Sequence, residues 1–186
     1  MHRYFNFTII VIASLLISAC GAQIAKMHGI DIIDPFDPQA VEAATTVEPD
    51  PHTGLTKVAG PPIFHDNNIL GKVYFLRGWK SKNLSDDSGS IQVYVLARFD
   101  KWAFLDTAYA NGKKLDTSQI DRKVGSCSGY GCSLQETIGI NLNISQLRDY
   151  AKNGLSFKVL GKRDSITMII PAGYFSGFLA AYQRAN

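Results

Sequence analysis

The chain predicts an α+β fold, a β-rich domain in which an antiparallel meander is covered by one or two helices, and three stretches carry that expectation. Residues 91–99 (IQVYVLARF) set Ile91, Val93, Val95, Ala97 and Phe99 against Gln92, Tyr94, Leu96 and Arg98. That period of two leaves one fully apolar face, as a half-buried strand requires. Asn111-Gly112 is a hairpin signal, because both residues tolerate the positive φ of a type I′ turn. Residues 172–185 place Tyr174, Phe175, Phe178, Leu179 and Tyr182 at helical spacing, a stripe able to cover a sheet face. A β-sandwich with this last helix lying outside is the alternative.

The chain opens on a basic tip carrying Arg3 and an apolar run over residues 9–19, which ends on Ile17-Ser18-Ala19-Cys20. Eleven residues fall short of the roughly 20 that a spanning helix needs, so the run reads as a signal peptide over residues 1–19. Ordinary secretory cleavage favours small residues in an A-x-A pattern, and Ile17 is bulky where that pattern wants a small side chain. Ile17-Ser18-Ala19-Cys20 resembles the lipobox of bacterial lipoproteins. The resemblance implies cleavage before Cys20, attachment of diacylglycerol and an N-acyl chain such as palmitate to that residue, and a stable membrane anchor. Gly21 follows the cysteine where an aspartate would cause retention, which implies the outer membrane of the cell envelope. The resemblance covers only the first 21 residues and is silent on the domain behind them.

Residues 20–60 read as a tether. Two bases (Lys26, Lys57) face six acids (Asp31, Asp34, Asp37, Glu42, Glu48, Asp50), for a net charge of −4, and six of the seven prolines lie between Pro35 and Pro62. X-Pro steps favour extended or turn geometry over helix, leaving residues 38–44 (PQAVEAA) as a short helical possibility. Asp31, Asp34 and Asp37 lack the glycine and closing glutamate of a calcium loop and read as solvated spacers.

The globular domain is expected over residues 61–186, with a net charge of +6. Residues 71–79 are β-branched and aromatic enough for a strand, and 81–90 form a loop by composition. After the strand at 91–99, Asp100-Lys101 turns the chain. Residues 102–109 return as its antiparallel neighbour, and 113–124 follow as a more polar edge strand. The Gly/Ser loop 125–132 holds Cys127 and Cys132, the two cysteines left once Cys20 is lipidated, and an oxidising envelope compartment favours their disulfide. Residues 134–142 alternate as a strand, Ser145 is placed to cap a helix over 146–153, and Gly154 is placed to end it. Two further strands occupy 155–160 and 166–170, and Pro171 breaks the second.

Chemistry is sparse. Gly125-Ser126-Cys127-Ser128-Gly129 fits a G-x-C-x-G nucleophile elbow, but no histidine follows it to act as base, and Cys127 has a better use with Cys132. His65 with Asp66 makes only the start of a metal site, so no metal is expected, and the glycine pattern of a dinucleotide or phosphate loop is missing, so no cofactor is expected. Glu136 with Asp106 or Asp121 could be paired as glycosidase carboxylates, as could many acids in such a domain. One surface candidate remains, Tyr74, Arg77, Trp79, Lys80 and Lys82, where aromatic faces beside bases suit sugars or anionic polymers. The bland account of these residues is a core tryptophan at a strand end followed by a solvated basic loop, and Trp102 reads as core as well. The charge is too diffuse for nucleic acid. The sequence therefore points first to a non-enzymatic envelope accessory or scaffold protein with an envelope protein as partner. A binding module for envelope polysaccharide or an external ligand comes second, and a hydrolase third.

Overall fold

Apolar alternation along the chain is realised as eleven strands among the residues that the computed structural model describes, which are 33–65, 71–81, 90–129 and 131–185. The leader and Cys20 lie outside them. In chain order the elements are α1 (Pro38–Ala44), β1 (Thr46–Asp50), β2 (Leu55–Ala59), β3 (Ile63–Phe64), β4 (Val73–Ser81), β5 (Ser90–Phe99), β6 (Leu105–Ala110), β7 (Lys113–Leu115), β8 (Thr117–Ser128) and β9 (Gly131–Leu142). They continue as α2 (Ile144–Asn153), β10 (Leu155–Gly161), β11 (Ser165–Ile170) and α3 (Ala172–Arg184). The larger sheet runs β1-β2-β4-β5-β9-β8, with β3 pairing β4, and the smaller runs β11-β10-β6-β7. Every pairing is antiparallel. The fold is the expected β-rich α+β class, covered by three helices.

β5 is the middle of the larger sheet and follows the expected alternation: Ile91, Val93, Val95 and Ala97 are buried in one continuous core, with Phe99 partly buried against it, while Gln92 on the opposite face is buried too. That core also takes Tyr74 and Leu76 from β4, Ile138 and Ile140 from β9, Phe157 and Val159 from β10, and Ile166 and Met168 from β11. The meander differs from expectation at one step. Both edges of β5 are occupied, by β4 and β9, so the chain leaving Phe99 cannot fold back beside it. Instead it crosses to the smaller sheet, where β6 pairs β10 and β7. The Asn111-Gly112 turn does form, with φ of 49° and 73°, and joins β6 to β7. The third strand expected over 113–124 is divided, with β7 in the smaller sheet and β8 at the edge of the larger one.

The final helix lies inside the fold, which removes the sandwich alternative with an external helix. Tyr174, Phe175, Phe178 and Tyr182 on α3 are fully buried. The Tyr174 hydroxyl donates to the Pro61 carbonyl at 2.6 Å and accepts from the Leu76 N–H at 3.3 Å, tying α3 to β4 and to the approach to β3. Tyr74 meets the Tyr174 ring edge-on at 5.4 Å. Burial pushes both phenols above their ordinary value, so each stays a neutral hydroxyl. α2 begins two residues earlier than expected: Asn143, not Ser145, caps it, in a reciprocal capping box with Gln146. Gly154, at φ 70°, ends it.

The tether expected through residue 60 is corrected, because residues 33–186 form a single compact unit. α1 forms over the residues expected, capped by Asp37, and packs on α3 with Val41 wholly buried. β1 and β2 form a hairpin that pairs with β4 through β2, burying Thr56 and Val58. Prolines are tolerated here because β1 is an edge strand, where a missing N–H costs no ladder bond on the open side. Gly177 is what lets α1 sit so close. A Cβ there would run into the Pro38 carbonyl, the Val41 side chain and the Glu42 N–H. Gly177→Ala is therefore expected to prise α1 from α3 and lower stability by about 1–3 kcal/mol in urea unfolding, the usual cost of overpacking. A variant as stable as the parent would show that α1 is not part of the packed domain.

Candidate functional site

Strand alternation divides the sequence's surface candidate in two. Along β4, Tyr74, Leu76, Gly78 and Lys80 point into the fold, and Phe75, Arg77 and Trp79 point out. Tyr74 belongs to the core, and Lys80 is buried against α3, its ammonium 3.5 Å from the Gln183 carbonyl and over the Tyr182 ring. Both are therefore corrected from ligand contacts to structural groups. Lys82 lies outside the described residues. What remains on the outer face is Arg77 and Trp79.

Register supplies partners that a linear reading missed. Phe75 lies opposite Tyr94, Arg77 opposite Gln92, and Trp79 opposite Lys57. The Arg77 guanidinium sits 4.5 Å from the Tyr94 ring centre and 5.0 Å from that of Trp79, and the Phe75 and Tyr94 rings are 4.6 Å apart. Two N–H groups of Arg77 donate to Gln92 Oε1, at 3.0 and 2.6 Å. Gln92 Nε2 donates to Asn141 Oδ1 at 2.8 Å, and Asn141 Nδ2 donates to Asp116 Oδ2 at 3.0 Å and to Ser118 Oγ at 3.1 Å. Gly139 makes this ladder possible, because a Cβ there would occupy the space of the Gln92 amide. Desolvation holds the Arg77 guanidinium below its usual value, though Tyr94 acts the other way. An arginine remains charged under such a shift. The result is a fixed Trp-Arg-Tyr-Phe cluster braced across four strands.

No family model, curated protein or solved structure matches the chain.

A second feature lies where the two sheets part. A cleft of about 790 Å³ is lined by residues 98–102, among them Arg98, Asp100 and Trp102, by Arg163 and Asp164, and by the hairpin residues Ser126 and Ser133. Trp102, expected in the core, is half-buried in this wall instead. The β8–β9 hairpin beside it ends in the Cys127–Cys132 disulfide, with Cα atoms 3.9 Å apart, in directly opposed positions. That bond consumes the thiol the nucleophile elbow would need. Among the described residues, no group of three histidine, cysteine or carboxylate side chains could hold a metal ion.

Glu136, the most chemically suggestive acid, is engaged in building the fold. Its side chain is 1% exposed. Oε1 accepts the backbone N–H groups of Ala103 and Phe104 at 2.7 and 2.8 Å, and Oε2 accepts that of Leu105 at 2.7 Å and Arg122 Nε at 3.2 Å. Arg122 also donates to the Leu105 carbonyl at 2.7 Å. Its proposed glycosidase partners stand elsewhere: Asp106 is exposed, and Asp121 faces Lys123 at 3.9 Å. With four donors on two oxygens, Glu136 clamps the crossover between sheets. Glu136→Ala should strand three N–H groups and a guanidinium, costing about 3–5 kcal/mol in denaturant unfolding. A loss below 1 kcal/mol would contradict the clamp.

Proposed function

We propose that this chain is a lipid-anchored protein of the bacterial cell envelope that works by non-covalent docking of a protein partner, an accessory or scaffold role without catalysis. The outer face of the larger sheet carries this reading. Trp, Tyr and Arg are the residues that most often dominate protein–protein binding energy, and here they are fixed before binding, which spares the entropy of ordering them. The same geometry disfavours the polysaccharide alternative. Sugars stack on open aromatic faces, whereas the Arg77 guanidinium already covers one face of Trp79 and one of Tyr94. These rings also lie on the sheet surface and not in the concave cleft, whose tryptophan is Trp102. The hydrolase reading loses its best acid, since Glu136 is committed to backbone donors.

The anchor rests on the Ile17-Ser18-Ala19-Cys20 motif. Among the described residues no helix is long and apolar enough to cross a membrane, and an acylated Cys20 supplies attachment by another route. Cys20→Ala should abolish incorporation of labelled palmitate and release the protein from the membrane fraction. A variant that still pellets with membranes after its leader is removed would refute the anchor.

Docking is tested separately by placing the photoreactive residue p-benzoylphenylalanine at position 79 and irradiating intact cells. The expected product is a discrete protein adduct, lost when Arg77→Ala is added. Adducts only to polysaccharide or peptidoglycan, or a protein adduct indifferent to Arg77→Ala, would overturn the reading.

A further inference from the structure

The edge strands of the two sheets are treated differently by the sequence. β1 carries Glu48-Pro49-Asp50 on its exposed edge. β8 is broken by two register shifts, at Gln119/Asp121 and Val124/Cys127, and bears Asp121, Arg122 and Lys123. β7 is three residues long, two of them lysine. Proline, bulges, charge and brevity are the devices by which proteins stop strand edges from pairing with other chains. β11 has none of them. Its six residues, Ser165-Ile-Thr-Met-Ile-Ile170, pair regularly with β10, contain no charge or proline, and close the sheet with no described strand beyond. Its outward side chain Ile169 is 63% exposed.

We propose that β11 pairs antiparallel with β11 of a second copy of this chain, joining the two smaller sheets across a two-fold axis. Residues opposed in an antiparallel pair lie on the same face, so a symmetric register must be centred on a residue. Centring it on Met168 sets Met168 against its own copy and Ile166 against the partner's Ile170 on the core face, and Thr167 against the partner's Ile169 on the outer face. β-branched pairs opposed in this way are favourable, and the exposed Ile169 gains an apolar neighbour. Charge is complementary in the same register. Asp164 comes level with the partner's Ala172, where α3 starts behind Pro171 with no side-chain cap, a position at which a helix end favours negative charge. Lys158, the outward base on β10, is separated from its own copy by three strand spacings, about 14 Å, beyond the screening length of about 8–10 Å. Lys162 and Arg163, exposed in the turn before β11, fall at opposite ends of the pair from their own copies in this register.

The test is register-specific cross-linking in cells that co-express two differently tagged full-length chains, one Thr167→Cys and the other Ile169→Cys. Mild oxidation should give a heterodimer band on a non-reducing gel from the mixture, and little from either variant alone, because each cysteine's own copy sits two residues out of register. Absence of the band in the mixture would overturn the proposal, and so would equal bands from the single variants. Sedimentation of the purified full-length chain in detergent gives a second readout. Ile169→Lys, exposed in the monomer, should leave the melting temperature unchanged and weaken self-association at least tenfold. A wild-type chain that stays monomeric at high concentration, or an Ile169→Lys chain that associates as well as wild type, would also refute the edge pairing. Pairing in the smaller sheet is independent of the docking face around Trp79, so the failure of either leaves the other standing.

Discussion

Four hydrogen bonds onto one carboxylate hold this architecture together. Glu136 sits on the inward face of β9, opposite Ala97, where an ion would be costly without partners. Its partners are three successive N–H groups of the crossover and the guanidinium of Arg122 from β8. Those N–H groups need satisfying, because the crossover leaves one sheet before it enters the other and no ladder serves it there. Phe104 takes φ 58°, a conformation unfavourable for a bulky residue, and its ring is flanked by the guanidinium groups of Arg122 and Arg163, each 5.3 Å away. The Arg163 N–H closes the far side by donating to the Ala103 carbonyl at 3.0 Å. Strand, crossover and the β10–β11 turn are thus bound at one point.

That point also explains where functional groups could go. With the chain pinned at Ala103–Leu105, Trp102 and Lys101 are held at the wall of the cleft, and β8 is free to run the full edge of the larger sheet and beyond it as a disulfide-closed hairpin. The face proposed for docking lies elsewhere on the same sheet, braced by Gln92 and Asn141 in place of a clamp. Rigidity in both places comes from side-chain amides and charged groups that engage one another and the backbone.

Local pattern was legible in the sequence, and pairing was not. The strand around Val93 and Val95, the helix at 38–44, the Asn111-Gly112 turn and the buried helix after Pro171 were all readable because each depends on periodicity or φ preference within a few residues. The strand that takes the second edge of β5 is β9, some forty residues away, and nothing in 102–109 distinguishes a strand returning beside β5 from one crossing to another sheet. Glu136 was visible only as one acid among several; its signal, a carboxylate at an inward position of an alternating strand, can be seen once the register is fixed. Composition misled at residues 46–59, where proline and acid are the marks of an edge strand as much as of a linker. The candidate around Trp79 was divided between two faces because adjacent residues in a strand point opposite ways, and the outward companions of Arg77 and Trp79, Tyr94 and Gln92, come from the neighbouring strand.

The folding of α1 and the first hairpin into the domain alters the mechanics of an anchor at Cys20. Only residues 20–32 separate that cysteine from the compact unit, and thirteen residues can reach at most about 45 Å however they are arranged. A forty-residue leash would let the domain sample partners across a deep layer of the envelope. Were Cys20 acylated as proposed, a span this short would confine the domain to a thin shell above the lipid and raise its effective concentration for anything in that shell. Partners held in the same membrane would gain most from that confinement.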